Sequence, residues 1–247
     1  LKRVAELLTD KEVGVIADPN EIQAVGHRLV HGGETFTETV VITDEVKAKV
    51  KELFPLAPLH NPANIVGVEV AENVFPNATQ VGVFDTAFHQ TLPDVAFRYA
   101  LPNNMYTEMG IRKYGFHGTS HKYVSEKAIE YLGKADAKVV TIHLGNGASM
   151  AAVDGGVCKD TSMGLGPICG LIMGTRSGDI DPAIIFNLVE QRGFSIEEVK
   201  DIVNKESGMF GLTGDSDMRD IEARFIKGDK VAVLANKMYA YRIKQFI

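Results

Sequence analysis

The sequence has few features of secreted or membrane-bound proteins. It contains only two cysteines, Cys158 and Cys169, and they form neither a Cys-x-x-Cys motif nor a zinc-ligand spacing. This pattern favours a reduced, cytoplasmic setting in which both cysteines are buried fillers rather than reactive thiols. Apolar runs stay shorter than the roughly 18 residues of a membrane span, and the start of the sequence has no signal-peptide pattern. Nothing in the sequence therefore indicates a membrane or export.

An excess of positive charge is also lacking. The formal net charge is −6, so an anionic partner has to be bound by a local cluster rather than by a basic face. We therefore expect no nucleic-acid partner, while small anions remain open. The 247 residues are 45% hydrophobic and include no low-complexity tract, which is enough for one or two domains and for an enzyme.

Both ends of the sequence fall within predicted helices. Val4, Leu7 and Leu8 have helical spacing, and no initiator Met precedes them. An amphipathic pattern that begins at Lys230 runs to Ile247 without a Gly or Asn cap. We therefore expect the polypeptide to be incomplete at both ends.

Strand-like and helical segments alternate along the chain. Strands are predicted at residues 24–30, 39–42, 80–84, 139–144, 148–153 and 157–160. Helices are predicted at 44–53, from Asn61 as N-cap, from Thr119 or Ser120 to Leu132, from Asp181 and Pro182 to Gly193, after the Ser195/Glu198 capping box, and from Lys230. A glycine-rich loop spans residues 163–178. This order predicts an α/β fold whose strands end in loops.

The turn Gly145–Asn146–Gly147 follows His143 and Leu144 at the end of a predicted strand. Glycines let backbone N–H groups approach an anion, because no Cβ intervenes and a positive φ is accessible. Asn-Gly is equally the strongest short signal for an ordinary hairpin turn. His143 could donate to a phosphate oxygen or lie satisfied beside the sheet. The turn is therefore either a phosphate cradle or a plain hairpin.

Two arginines occupy unusual positions. Arg176 lies in the glycine-flanked loop before a capped helix, where its guanidinium could bind a carboxylate or a phosphate. The alternative is a salt bridge to Asp179 or Asp181. Arg28 shares one strand face with small and apolar residues that include Val30, so it needs an anionic partner.

Other polar residues stand at strand ends and helix starts. Asp85 ends an apolar strand, which is where α/β folds usually carry their chemistry, although it could also cap a turn. His60 and His117 each precede a helix start. A histidine there can belong to a functional site, or it can make only a turn or cap hydrogen bond. The pairs His27/His31 and His117/His121 have i,i+4 spacing, but neither pair fits the His-Glu-x-x-His pattern of a helical zinc site.

Six motifs in one order resemble the acetate kinase family from about Ile22 to the last residue: GHRLVHGGE, APLHNPANI, FDTAFHQTLP, YGFHGTSHKYV, HLGNGAS and MGTRSGDIDP. The resemblance implies the actin and sugar-kinase-like (ribonuclease H-like) fold, with duplicated domains of mixed sheets flanked by helices. Residues 1–136 would be most of an acyl-substrate domain, and residues 137–247 part of a nucleotide-binding domain. The implied reaction is reversible transfer of phosphate between ATP and acetate with Mg²⁺, by a homodimer.

The resemblance also implies roles for individual residues. Arg28 would bind the acetate carboxylate, and Asp85 would be the catalytic acidic residue. His117 and Arg176 would stabilise the transferring phosphoryl group. The substrate site would include Val30, Leu59, His60, Phe116 and Pro167. The nucleotide would contact His143, Leu144, Gly145, Asn146, Gly147, Asp217, Met218 and Arg219.

The sequence departs from the family in three places. The family's metal-binding Asn and Glu lie in segments that would precede Leu1 and follow Ile247, so no metal ligand is expected here and the chain alone should be inactive. Residues 166–170 read GPICG where the family often has Thr-Pro-Leu-Glu-Gly, which leaves propionate or butyrate as alternative substrates. A catalytically incompetent nucleotide-binding fragment is a further alternative. Because a carboxylic acid is ionised at neutral pH, we expect Asp85 to orient Arg28 or a Mg²⁺-bound water rather than to act as a base.

Overall fold

The computed structural model describes residues 2–58 and 60–247. The chain forms two compact units, one up to Gln90 and one from Thr91 onward. The domain boundary expected between residues 136 and 137 stays a prediction. Within the described part of the chain, no helix is both long enough and apolar enough to span a membrane.

The first unit is built on a small mixed sheet. Its strands are β1 (Ala24–Leu29), β2 (Val40–Val41) and β3 (Thr79–Phe84), in the order β1-β3-β2. β1 runs parallel to β3, whereas β2 is antiparallel to it. The helices are α1 (Lys2–Leu8), α2 (Asp44–Glu52) and α3 (Asn61–Val74). The bounds of the three strands and of α2 lie within two residues of the predicted segments. α1 contains the residues with helical spacing near the start of the sequence, and α3 begins at Asn61.

The core of this unit fixes the ends of the two parallel strands. Leu29 and Phe84 are each 1% exposed, and the ring of Phe84 stacks on that of Phe36 with centroids 4.4 Å apart. Leu29 pairs with Phe84 in the β1–β3 register. Because parallel strands end at the same edge of a sheet, the residues next to this pair are brought together.

The start of α3 differs from the prediction. His60, not Asn61, is the N-cap residue, and it makes no side-chain cap hydrogen bond. The buried Asn61 side chain instead accepts from the backbone N–H of His31 at 3.1 Å and donates to the carbonyl of His31 at 3.0 Å. Asn61 therefore ties the helix to the segment after β1, so its amide is not available as a cap.

The second unit contains an antiparallel meander and most of the helices. Its strands are β4 (Lys138–Leu144), β5 (Ala148–Asp154) and β6 (Val157–Thr161). The helices are α4 (Asp94–Phe97), α5 (Asn103–Thr107), α6 (Gly118–Leu132), α7 (Pro182–Arg192), α8 (Ile196–Lys205), α9 (Gly208–Thr213), α10 (Met218–Ile226) and α11 (Lys230–Phe246). The predicted glycine-rich loop, residues 163–178, contains no helix or strand.

Several predicted caps are confirmed. Asp181 accepts from the N–H of Ala183 at the start of α7, and the capping box at Ser195 starts α8. Gly133 ends α6 with φ 60°, as predicted. The predicted start of α6 was wrong: neither Thr119 nor Ser120 is the N-cap, and the helix begins at Gly118.

The two cysteines differ from each other. Cys158 is buried, as expected of a filler, and burial raises its pKa to about 12. Cys169 is exposed, so the prediction that both are buried was wrong. Its position in the glycine-rich loop, outside any strand or helix, explains the difference.

Candidate functional site

A buried carboxylate holds an exposed arginine in the first unit. Arg28 Nε donates to Asp85 Oδ1 at 2.8 Å, and Nη2 donates to Oδ2 at 2.6 Å. The Asp85 side chain is 2% exposed, whereas that of Arg28 is 66% exposed. Asp85 follows the last residue of β3, and its N–H donates to the carbonyl of Leu29 at 2.9 Å. The parallel pairing of β1 and β3 therefore creates this contact.

The ion pair leaves part of the guanidinium open to a ligand. Its hydrogen bonds to Asp85 raise the pKa of Arg28, so the charge is kept at all ordinary pH values. Only two of the five guanidinium N–H groups are used by described residues. The remaining edge can bind a second carboxylate. The Asp85 carboxylate is engaged by Arg28 and makes no cap hydrogen bond to a described residue.

In the second unit, the Gly145–Asn146–Gly147 turn joins β4 to β5. Leu144 pairs with Ala148, and the N–H of Gly145 donates to the carbonyl of Gly147 at 3.0 Å. The hairpin interpretation is therefore confirmed, and phosphate contact stays a prediction. Neither glycine has a φ in the left-handed region, so the turn does not use the positive φ that glycine makes accessible.

The glycine at 147 instead provides space beside an imidazole and a guanidinium group. A Cβ placed there would lie 3.1 Å from His117 Nε2 and 3.4 Å from Arg176 Nη1. Two of the residues predicted to stabilise a phosphoryl group therefore converge on the predicted phosphate turn. An anion at this point would meet imidazole and guanidinium N–H groups together.

Serine hydroxyls fix the two imidazoles that flank the turn. His117 Nδ1 and Ser149 Oγ are 2.8 Å apart, and His143 Nδ1 and Ser120 Oγ are 2.9 Å apart. The His117 and His143 rings stack with centroids 4.1 Å apart and planes inclined by 20°. The bond to His143 also explains why Ser120 does not cap α6. Each Nδ1 is bonded to a serine hydroxyl, so each Nε2 faces the Gly145–Asn146–Gly147 turn.

His117 has a backbone conformation that is uncommon outside glycine. Its φ is 58°, and it is the only non-glycine residue with a positive φ among residues 2–58 and 60–247. Such a conformation costs free energy and is found preferentially at functional sites. The strain places the imidazole immediately before α6 and beside Ser149.

The residues that support these rings were not among the predicted site residues. His121 is 1% exposed, with Nε2 2.7 Å from Ser149 Oγ and Nδ1 2.7 Å from Thr141 Oγ1. The pair His117/His121, with its i,i+4 spacing, is thus bridged by a serine hydroxyl. The alternation of Thr141 and His143 on one face of β4 was the available signal, since residues two apart point the same way.

Arg176 makes no ion pair with a described residue. Its Nη1 donates to the carbonyl of Pro167 at 2.8 Å and lies 3.7 Å from Met173 Sδ. Burial lowers the pKa of the guanidinium. A half-buried cation with one carbonyl partner is the arrangement expected of a group that awaits an anionic ligand.

The alternative salt bridge of Arg176 to Asp179 or Asp181 was wrong. Asp179 Oδ1 accepts from the N–H of Gly170 at 2.7 Å, and Asp181 Oδ1 accepts from the N–H of Ala183 at 2.8 Å. Both carboxylates therefore organise backbone, one in the glycine-rich loop and one at the start of α7.

A cavity of about 360 Å³ adjoins the glycine turn. Leu144, Gly145 and Asn146 line it together with Asp217 and Met218. Two of the predicted nucleotide-contacting segments, far apart in sequence, thus share one cavity. Hydrogen bonds from the side chain and the backbone of Arg219 lower the pKa of Asp217 to about 2, so this carboxylate is ionised. Arg219 itself is largely exposed and is not part of the lining.

The remaining predicted substrate residues are divided between the units. Val30 and His60 are half-buried in the first unit, and the N–H of Val30 donates to Asn64 Oδ1 at 3.0 Å. Phe116, 2% exposed, and Pro167, half-buried, belong to the second unit. Leu59 lies outside the described residues. The substrate pocket and the roles of the site residues stay predictions.

Solved structures of an acetate kinase and a propionate kinase match this chain. The acetate kinase of Porphyromonas gingivalis matches with a TM-score of 0.93 and 50% identity, over 99% of this chain and 62% of that one. A propionate kinase of Francisella tularensis subsp. tularensis matches with a TM-score of 0.94 and 44% identity, over the same shares. The chain therefore has the α/β fold of this class of phosphotransferase.

The family is shown by sequence comparison. The model of the acetokinase family matches residues 1–247, and the acetate kinase of Flavobacterium johnsoniae is 59% identical over the whole chain. The chain belongs to the acetokinase family, as the six motifs predicted. It spans 62% of the length of the curated relatives it matches.

Proposed function

We propose that this chain carries the carboxylate-binding and phosphate-binding residues of an acetate kinase. The reaction is reversible, direct in-line transfer of the γ-phosphoryl group of ATP to acetate, which yields ADP and acetyl phosphate. The observation that carries the proposal is the convergence of His117 Nε2 and Arg176 Nη1 on Gly147. Membership of the acetokinase family supports the same reaction.

Arg28 binds the substrate carboxylate in this proposal. Acetate is ionised at neutral pH, so its oxygen is a nucleophile without a general base. The two-point hydrogen bond from Asp85 holds the guanidinium in one orientation, and the free edge receives acetate. Asp85 therefore acts by positioning Arg28 rather than by removing a proton.

His117 and Arg176 stabilise the phosphoryl group during transfer. Negative charge spreads over the three equatorial oxygens, and fixed donors there lower the barrier because they need no reorganisation. The partial burial of Arg176 strengthens its interaction with an anion, since fewer water molecules screen the charge. Ser149 and Pro167 keep the two donors in place.

ATP or ADP occupies the cavity beside the glycine turn, with its phosphates at residues 145–147 and contacts to Asp217, Met218 and Arg219. Mg²⁺ belongs to the proposal because ATP-dependent phosphoryl transfer uses it to neutralise phosphate charge. No group of three His, Cys, Asp or Glu side chains among the described residues could hold a metal ion. We therefore assign no Mg²⁺ ligand among these residues.

Propionate is the second candidate substrate, and the match to a propionate kinase structure favours testing it. One methylene changes binding in an apolar pocket by only about 1 to 3 kcal/mol, so selectivity should be modest. The residues around Pro167 depart from the family pattern, so this part of the substrate site is where a different preference for chain length would arise. A homodimer and a cytoplasmic setting complete the proposal; the first rests on the resemblance and the second on cysteine usage.

The test is formation of acyl phosphate, trapped as the hydroxamate. It should be measured in the 247-residue chain and in a version extended to full length with the flanking segments of a curated relative, here called the extended protein. We expect ATP-dependent product from the extended protein, with kcat/KM higher for acetate than for propionate. Product from propionate alone would contradict the acetate assignment, and no product from either acid would contradict the proposal.

A further inference from the structure

Tyr239 lies on α11 and lines the cavity that adjoins the glycine turn. Its ring packs against a buried apolar cluster: Ile172, Met209, Ile221, Ala232 and Ala235. The residue is half-buried. A ring held on one side by a packed core has little freedom, so Tyr239 forms a fixed part of the cavity wall.

The hydroxyl of Tyr239 makes no hydrogen bond to any residue that the structure describes. Tyr239 Oη is not among the fully buried, partnerless side-chain atoms of the described residues, so water or a molecule in the cavity can reach it. Burial also raises the pKa of Tyr239, so the phenol keeps its proton at neutral pH. The cavity wall therefore contains a preorganised donor that a bound molecule can satisfy.

The rest of the cavity indicates which part of a nucleotide would meet this donor. One end is the turn at Gly145 and Asn146. The N–H of Gly145 is already bonded to the carbonyl of Gly147, but the side-chain amide of Asn146 can donate to a phosphate oxygen. Leu144, Met209 and Met218 give the cavity an apolar wall of the kind that packs on a flat ring. A nucleotide with its phosphates at the turn would thus have its nucleoside among these apolar side chains and Tyr239.

We propose that Tyr239 is a nucleoside-binding residue, whose ring packs against the nucleoside and whose hydroxyl hydrogen-bonds to it. This inference rests on the proposed nucleotide site and adds a residue outside the six motifs that indicated the family. It is a contact with the nucleoside rather than with the phosphates.

Isothermal titration calorimetry of the 247-residue chain tests the assignment with two ligands, ADP and inorganic pyrophosphate. Tyr239→Phe removes only the hydroxyl, and we expect it to weaken ADP binding about 3- to 10-fold, the usual effect of one hydrogen bond. Pyrophosphate affinity should not change. Tyr241→Phe is the matched control, because Tyr241 lies on the same helix, is 63% exposed and does not line the cavity.

The outcomes separate this inference from the proposed function. A wild-type chain that does not bind ADP contradicts the nucleotide site, and Tyr239 with it. If Tyr239→Phe binds ADP as tightly as the wild-type chain, the hydrogen bond from the hydroxyl is contradicted, and the packing contact of the ring is not. An equal loss of pyrophosphate affinity would assign the contact to phosphate instead. Tyr239→Leu, which also removes the ring, should bind ADP more weakly than Tyr239→Phe; equal affinity would contradict the packing contact.

Discussion

Asp85 and Arg28 form a pair in which the acid is buried and the base is exposed. Two hydrogen bonds of 2.8 and 2.6 Å join them across the ends of parallel strands. An exposed ion pair usually contributes little to stability, because both side chains are mobile and solvated. Here the carboxylate is fixed by burial, so its main effect is to orient the guanidinium toward a ligand.

Asp85→Asn tests this orienting role. The amide can accept from only one guanidinium donor and has no charge, so Arg28 loses its fixed geometry. In the extended protein we expect kcat/KM for acetate to fall roughly 10- to 100-fold, the effect of losing a charge-assisted hydrogen bond. The KM for ATP should stay within about twofold of wild type, since an orienting defect at the carboxylate site leaves nucleotide binding intact.

Asp44→Asn is the matched control, because its side chain is 99% exposed at the start of α2. It should leave both parameters unchanged. An equal rise in the KM for ATP in Asp85→Asn would show that Asp85 acts on the nucleotide and not on Arg28.

Arg176→Met should separate activity from stability. The change removes a half-buried charge whose hydrogen bonds are to the carbonyl of Pro167 and the sulfur of Met173. Relief of the desolvation penalty offsets the lost hydrogen bond, so we expect the free energy of unfolding to stay within about 1 kcal/mol of wild type. Acetyl phosphate formation should fall on the order of 10³-fold. Urea unfolding and the hydroxamate assay measure the two quantities.

Arg192→Met, at an exposed position at the end of α7, controls for removal of a positive charge. It should change neither quantity. Loss of several kcal/mol of stability in Arg176→Met would mean that Arg176 is a structural residue rather than an anion-binding one.

Gly147→Ala should impair catalysis with little effect on folding. The new methyl group would lie 3.1 Å from His117 Nε2 and 3.4 Å from Arg176 Nη1. Both donors are held by hydrogen bonds, to Ser149 and to the carbonyl of Pro167, so the methyl group would displace them by only a few tenths of an ångström. Because small displacements of catalytic groups are costly, we expect the rate of acetyl phosphate formation to fall about 10-fold or more. The melting temperature should change little.

Gly156→Ala is the control, because it should lower stability without changing the rate. Gly156 has φ 82° in the β5–β6 turn, and nothing lies within 4 Å of the position that a Cβ would take there. Alanine there strains the backbone, which should cost about 1 kcal/mol of stability and leave the rate unchanged. If Gly147→Ala were the less stable of the two and fully active, the turn would have only a structural role.

His31 should make stability fall below pH 6.5. Burial lowers its pKa from 6.5 to about 4, so the unfolded chain binds a proton that the folded chain does not. The stability that neutral His31 contributes is present above pH 6.5 and is lost as the pH falls toward 4. Between pH 7 and 5 this loss is about 2 kcal/mol.

His31→Asn removes the titrating group and keeps an acceptor for the N–H of Gly33, which donates to His31 Nδ1 at 3.0 Å. Urea unfolding at pH 7 and pH 5 should therefore show a smaller pH dependence in the variant, by about 2 kcal/mol. The same slope in both proteins would refute the assignment to His31.

Local sequence patterns predicted the strands and several caps, because these depend on neighbouring residues. The start of α7 at Asp181 and Pro182 and the end of α6 at Gly133 are confirmed. The predicted starts of α3 and α6 failed for one reason. Asn61 and Ser120 bond to His31 and to His143, residues that are distant in sequence and whose approach no local pattern reveals.

The candidate site likewise combines features that local sequence predicts with contacts between distant residues that it does not. The motifs supplied the residue types at Arg28, His117 and Arg176. The geometry that makes them usable comes from tertiary contacts: the parallel register of β1 and β3, and the hydroxyl of Ser149 on β5. A motif names a residue, but the partner that orients it belongs to a different part of the chain.

The most direct test of the proposed function is transfer of labelled γ-phosphate from ATP to acetate by the extended protein. Wild type should form labelled acetyl phosphate, and Arg28→Leu and Arg176→Met should each retain less than about 1% of that rate. Absence of transfer in wild type, or retention of more than half of the rate in either variant, would contradict the account.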